Sequence, residues 1–126
     1  LGLSAAVHFA GFRYDVDRYL SAFDLCVHPA EKEGLGVAML KASAAALPVI
    51  AFNVAGATEA VEHMKTGILV PFCDLDALQL AIGAMIDEPD IGRELGRAGR
   101  ARMQDAFSIG TMVESYLEIY EEVLNG

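Results

Sequence analysis

Short apolar runs alternate with stretches of helical period along most of this chain. Residues 7–10, 25–27, 48–51 and 66–71 are brief, apolar and bounded by glycine, proline or charged residues. Their length and composition predict strands buried on both faces, as in a parallel sheet. Pro48 stands at the first residue of its strand, where a missing N–H is tolerated. The run at 66–71 is entered through Gly67 and closed by Pro71. Between these runs the apolar positions fall three and four apart. Val16, Tyr19, Leu20 and Phe23 mark a short helix over 15–23; Val37, Leu40 and Ala44 mark the next; Leu75, Leu78, Ile82, Met85 and Ile86 mark a third. Asp74 is the natural N-cap of that third helix, with Asp76 in its first turn. A helix over 91–107 contains Gly96 and Gly99, which lower helix propensity and point to close packing. Ser108 caps a final helix whose Ile109, Val113, Tyr116, Leu117 and Tyr120 form one stripe. Such a stripe needs a partner surface.

Strand and helix in alternation predict an α/β domain with a parallel sheet and helical crossovers. Ligands of such sheets bind beyond the carboxyl ends of the strands. The turns at Gly11, after Val27 and after Ala51 all open on that edge.

Composition narrows the function classes. A chain of 126 residues, 54% hydrophobic and 21% charged, has enough apolar surface for one core. A net charge of -9 speaks against nucleic acid as a partner, because domains that bind it carry basic stripes. It gives no support for attachment to anionic lipid. Arg93, Arg97, Arg100 and Arg102 spread around their helix and lie far in sequence from the other candidate residues, so they read as a solvated, salt-bridged face. No apolar run approaches the length that spans a bilayer. Cys26 and Cys73 form neither a metal spacing nor a disulfide framework, and a reducing cytoplasm is the simplest setting. An Asp-x-Asp triplet such as Asp74-Leu75-Asp76 is also a pattern by which metal-dependent enzymes hold a cation. Capping accounts for it here, no further oxygen ligands converge, and no metal is expected.

Residues 29–46 carry the chemistry: a charged turn, two glycines one residue apart, then an apolar helix. Gly34 and Gly36 sit where the chain leaves the sheet, and the missing Cβ lets backbone N–H groups approach a ligand closely. A helix N-terminus adds unpaired N–H groups and about half a positive charge. Phosphate is the usual guest of such a turn. Glu33 stands at its rim, where a carboxylate accepts hydrogen bonds from hydroxyls but repels phosphate. A ligand with both groups, such as a nucleotide sugar, fits that division; a purely structural glycine turn is the alternative. His28, at the carboxyl end of its strand, is placed for acid-base work.

The ordered set Glu33-Gly34-Leu35-Gly36, then Lys41-Ala42, then Leu47-Pro48-Val49-Ile50-Ala51 resembles the signature of the family 4 (group 1) glycosyltransferases of the GT-B fold. Residues 7–11 are similar to the V-x-F-x-G strand of that family, residues 53–62 to its Gly-Gly-x-x-Glu loop, and residues 95–100 to its Leu-Gly-x-x-Gly-Arg segment. The resemblance covers residues 7–124. It implies a partial Rossmann-like three-layer domain: the C-terminal, donor-binding half of a retaining, metal-independent transferase. An N-terminal acceptor domain, the first two strands of this domain and a basic pair that clamps the diphosphate would then lie outside the chain. Glu33 would contact the donor sugar and act as the catalytic carboxylate. The backbone of Gly34, Leu35, Gly36, Val37 and Ala38 would hold sugar hydroxyls and diphosphate. Gly11, Phe12 and Arg13 would line the base pocket. No cofactor is implied; the donor is a UDP-, GDP- or ADP-linked sugar used as substrate. The position of His28 commonly holds a small or polar residue without proton-transfer duty.

Two departures qualify the match. Ala55 replaces the first glycine of the Gly-Gly-x-x-Glu loop, with Gly56 and Glu59 retained. Glu59 then either stabilises a short helix N-terminus or touches ligand. Lys41 replaces the family's second glutamate, which grips the nucleotide ribose. Lysine has three donors and no acceptor, so it cannot make that contact. Losing a charged hydrogen bond costs roughly 1.5–3 kcal/mol, about ten- to a hundredfold in affinity. Lys41→Glu is therefore expected to tighten donor binding, unless the lysine has become a diphosphate ligand. A non-catalytic assembly module and a nucleotide-sugar epimerase of related fold are the alternatives to a transferase. Since the missing strands would separate residues 7–10 from 25–27, those runs are expected either to pair directly or to associate with another chain through an open edge.

Overall fold

The structure is a computed structural model and describes residues 2–126. A three-stranded parallel sheet forms its centre, from β1 (Cys26–His28), β2 (Val49–Phe52) and β3 (Gly67–Val70) in that spatial order. Val27 lies opposite Ile50, and Ile50 opposite Ile68. The described residues also form six helices: α1 (Val16–Leu20), α2 (Val37–Ala44), α3 (Ala55–Ala60), α4 (Leu75–Asp87), α5 (Pro89–Ala106) and α6 (Ile109–Asn125). All four residues of β2 are buried, as a central parallel strand requires. Its side chains alternate between two cores. Val49 and Ala51 pack with Leu20, Met39, Ala42, Ala57 and Ala60 on one face. Ile50 and Phe52 pack with Val70, Ala81, Met85 and Leu95 on the other. The result is the expected α/β three-layer arrangement with helical crossovers.

The run at 7–10 forms no strand. Val7 is held only in a local turn through its N–H to Leu3 O (3.0 Å), and the Phe9 side chain is 96% exposed. A β-strand requires a neighbour for its N–H and C=O groups, and β1 does not reach it. Direct pairing of 7–10 with 25–27 is therefore not what this chain does. Residues 53–62 also differ from an open loop, because they contain α3. Glu59 is the fifth of that helix's six residues, so of its two expected roles the one at a helix N-terminus does not hold.

Helix ends behave as their residues predict. Asp74 Oδ1 accepts from Ala77 N at 2.9 Å and Ser108 Oγ from Thr111 N at 3.0 Å. Pro89 starts α5 two residues earlier than its periodicity indicated, at a position where its absent N–H costs nothing. Gly92, Leu95, Gly96, Gly99 and Met103 make the buried face of α5. A Cβ on Gly96 would stand 2.1 Å from Ala46 O, and one on Gly99 3.4 Å from the Ser43 side chain. The glycines thus let α5 lie directly on the end of α2. Arg102 is not a solvated residue of that helix: Nε donates to Glu62 Oε1 (2.8 Å), while Nη1 and Nη2 donate to Ala60 O and Glu59 O at the end of α3. Helix α6 has no buried residue.

Candidate functional site

The site is built by the junction of β1 with α2. After His28 the chain turns through residues 29–35, and Gly36 enters α2 in a left-handed conformation, φ 73° and ψ 43°. Only glycine adopts that at low cost, and a Cβ there would also stand 2.4 Å from Met39 Cε. Gly34 has a different reason for its place. A Cβ on Gly34 itself would meet open space, but its carbonyl oxygen lies where a Cβ on Gly56 would be, at 2.0 Å. The glycine retained at the start of α3 therefore lets that helix seat the turn backbone to backbone.

Glu33 is folded into this turn rather than standing at its rim. Its Oε1 accepts from Gly34 N (2.9 Å) and Gly36 N (3.2 Å), and its Oε2 lies 2.7 Å from His28 Nε2. His28 and Glu33 are each about a quarter exposed. The hydrogen bond from His28 holds the Glu33 carboxyl below its ordinary value, helped by the two amides and opposed by desolvation. A carboxylate that stays ionised can only accept hydrogen bonds, so each of these contacts is donated to it. The amides of Val37, Ala38 and Met39, in the first turn of α2, have no intrahelical acceptor, and no side chain caps them. The turn thus separates two tasks: Gly34 and Gly36 hold the carboxylate, and the helix N-terminus remains free for an anion.

The other expected residues are distributed around this centre. Lys41 Nζ is 3.0 Å from Asp17 Oδ1, tying α2 to α1 across an exposed surface. Arg13 stacks over the Tyr19 ring of α1 at 5.5 Å, and Phe12, 81% exposed, meets Tyr14 edge to face. Gly11 has φ 66° and open space around it. Of these three residues only Arg13 reaches α1, and the structure does not bring them together with the glycine turn. Leu35, Val37 and Lys41 line one wall of a cavity of about 870 Å³ whose other walls are α5 and α6. Arg100, Ser108 and Thr111 face the same space. Sequence distance hid them, because the close α5–α2 approach at the glycine stripe is a tertiary contact.

Known proteins resemble this chain over most of its length. The chain is similar to α-maltose-1-phosphate synthase of Mycolicibacterium smegmatis, with 36% identity over 116 residues, 87% of this chain and 30% of that protein. It is also similar to N-acetyl-α-D-glucosaminyl L-malate synthase of Bacillus anthracis, 28% identical over 98% of this chain and 32% of that protein. Among solved structures, HepE of Anabaena in complex with UDP superimposes with a TM-score of 0.91 at 27% identity, covering 96% of this chain and 34% of that one. The same protein with UDP-glucose gives 0.88 at 28% identity, over 97% and 34%. The chain spans about a third of the length of these relatives. No helix among the described residues is long and apolar enough to cross a membrane. The family model for glycosyl transferases group 1 matches residues 1–102, and its structural neighbours are GT-B glycosyltransferases, so this chain belongs to the group 1 glycosyl transferases.

Proposed function

We propose that the chain is the C-terminal, donor-binding domain of a family 4 transferase that moves a sugar from a nucleotide donor to an acceptor, with retention of configuration and without a metal ion. The observation that carries this reading is the Glu33 carboxylate, held ionised beside the free N-terminus of α2 at the carboxyl end of β1. Donor sugar hydroxyls are met by Glu33, and diphosphate charge by the Val37 and Ala38 amides and the α2 dipole. Positive charge from backbone amides is what makes a metal dispensable. Gly11, Phe12 and Arg13 flank the base, and Leu35 and Lys41 border the ribose side. Lys41 supplies no acceptor there, and its bond to Asp17 favours a structural use, which weakens donor recognition without abolishing it. That same bond is the feature in favour of the second reading, a non-catalytic module of GT-B fold.

The binding of UDP and UDP-glucose by HepE supports a nucleotide sugar as the partner. The acceptor half, an N-terminal domain, belongs to the full-length protein, which works in the cytoplasm. Positioning donor against acceptor supplies much of the rate in such transfers, so residues 1–126 alone are inactive. The test is calorimetric titration of the full-length protein with UDP-glucose, GDP-mannose and ADP-glucose. One base class binds under this reading. Gly34→Val abolishes that binding while the fold survives, because nothing in the protein lies within 4 Å of the added Cβ. Asp74→Ala leaves it intact. Absence of binding by all three donors supports the module instead.

A further inference from the structure

We propose that His28 is the positioning residue for Glu33, holding the carboxylate in the one arrangement that leaves a single acceptor position on Oε2 for a hydroxyl of the donor sugar. The inference rests on the reading of Glu33 as the sugar-contacting group. An ionised carboxylate offers about four acceptor positions. Two on Oε1 are filled by Gly34 N and Gly36 N, and one on Oε2 by His28 Nε2. One position remains, on Oε2.

The anchor is well suited to that duty. His28 is the last residue of β1, in register with Ala51 of the central strand, so its backbone is fixed by the sheet and not by the turn. Because Glu33 cannot donate, Nε2 carries the proton in this bond whether the ring is neutral or charged. The same nitrogen is then unavailable as a general base, and His28 acts through Glu33 rather than on the substrate. The two amides hold only Oε1, about which the carboxylate can still pivot. The bond from His28 removes that freedom and lessens the ordering cost of sugar binding.

The test uses His28→Leu, which removes the donor, and His28→Gln, which returns an N–H at similar reach. The Glu33 carboxyl is followed by carbon-13 NMR through a pH titration, assigned with Glu33→Gln. Donor binding is followed in the full-length protein by comparing each of UDP-glucose, GDP-mannose and ADP-glucose with its bare nucleoside diphosphate. In His28→Leu the Glu33 midpoint moves up toward the ordinary glutamate value. The extra affinity of the nucleotide sugar over its nucleotide falls by about five- to tenfold, with the nucleotide itself unchanged. His28→Gln recovers part of both. An unchanged midpoint in His28→Leu overturns the proposal, as does an equal loss of nucleotide and nucleotide-sugar binding. If wild-type protein binds no nucleotide sugar, the proposed function fails and this inference with it; if it binds one and Glu33→Gln lowers the sugar increment while His28→Leu does not, only this inference fails.

Discussion

At the scale of single residues, the Glu33 carboxyl sets the behaviour of the site with pH. Its value in the fold lies below the ordinary 4.5, chiefly through the His28 hydrogen bond. A depressed carboxyl contributes stability that is fully present above its unfolded value and is lost as pH falls through the folded one. The turn is therefore expected to keep its structure from neutral pH down to about the ordinary glutamate range and to loosen below it. Amide exchange at Gly34 and Gly36, followed by NMR from pH 7 to pH 3, reads this directly; protection lost already near pH 6 contradicts it. A second residue runs against its local conformation. Ala46 follows the C-cap of α2 with φ 62°, and the Leu47 N to Ala42 O and Ala46 N to Ser43 O bonds complete a Schellman motif. That position favours glycine, so Ala46→Gly is expected to raise stability by about 0.5–1 kcal/mol in a urea titration. The sequence made Glu33, Gly34 and Gly36 legible as a group through their spacing. It did not reveal that the carboxylate occupies the turn's own amides, because that depends on how far the side chain folds back.

At the scale of elements, helix α5 shows what pattern reading can and cannot give. Its glycines were legible as a packing signal, but not the surface they pack on. Gly96 meets the backbone of Ala46 and Pro48, a contact that depends on the right-handed crossovers of the whole sheet. Gly83 in α4 is a built-in control, with nothing within 4 Å of an added Cβ. Gly83→Ala is expected to stabilise by about 0.5–1 kcal/mol through helix propensity alone. Gly96→Ala gains the same propensity but drives a Cβ into a carbonyl, and a net loss of about 1–2 kcal/mol follows. Thermal denaturation of the pair decides it: equal shifts of the same sign would mean that α5 does not lie on α2. The run at 7–10 marks the opposite limit. Its composition is that of a strand, yet strand formation is not a local property. Propensity in a sheet reports packing against neighbours, and β1 supplies none to residues 7–10. The two extra residues of α5 at Pro89 and the helix inside residues 53–62 are smaller differences of the same origin, since element boundaries depend on caps and contacts more than on periodicity.

At the scale of the whole molecule, the two cores close around β2, but two apolar features stay uncovered. Helix α6 exposes Ile109, Met112, Val113, Tyr116, Leu117, Tyr120, Val123 and Leu124, each at 45% or more of its surface. Strand β1 pairs on one side alone among the described residues, and its Val27 is 37% exposed. Contiguous apolar surface beyond a few hundred Å² is uncommon on monomeric proteins. An open strand edge offers unpaired N–H and C=O groups to another chain. The helix face is much the larger of the two, since β1 is only three residues long. Residues 1–126 produced alone are therefore expected to self-associate, mainly through α6. Light scattering over a range of concentrations should show a mass above 13.4 kDa that rises with concentration. Paired substitution Leu117→Glu and Tyr120→Glu places charge in the middle of the stripe, next to Glu118, Glu121 and Glu122, and should return the monomer. Val27→Lys, which charges the open edge of β1, should leave most of the association in place. If the edge substitution dissolves the assembly and the helix pair does not, the sheet edge is the interface. A strict monomer at every concentration would mean that neither surface drives association, and that the stripe on α6 tolerates water without a partner.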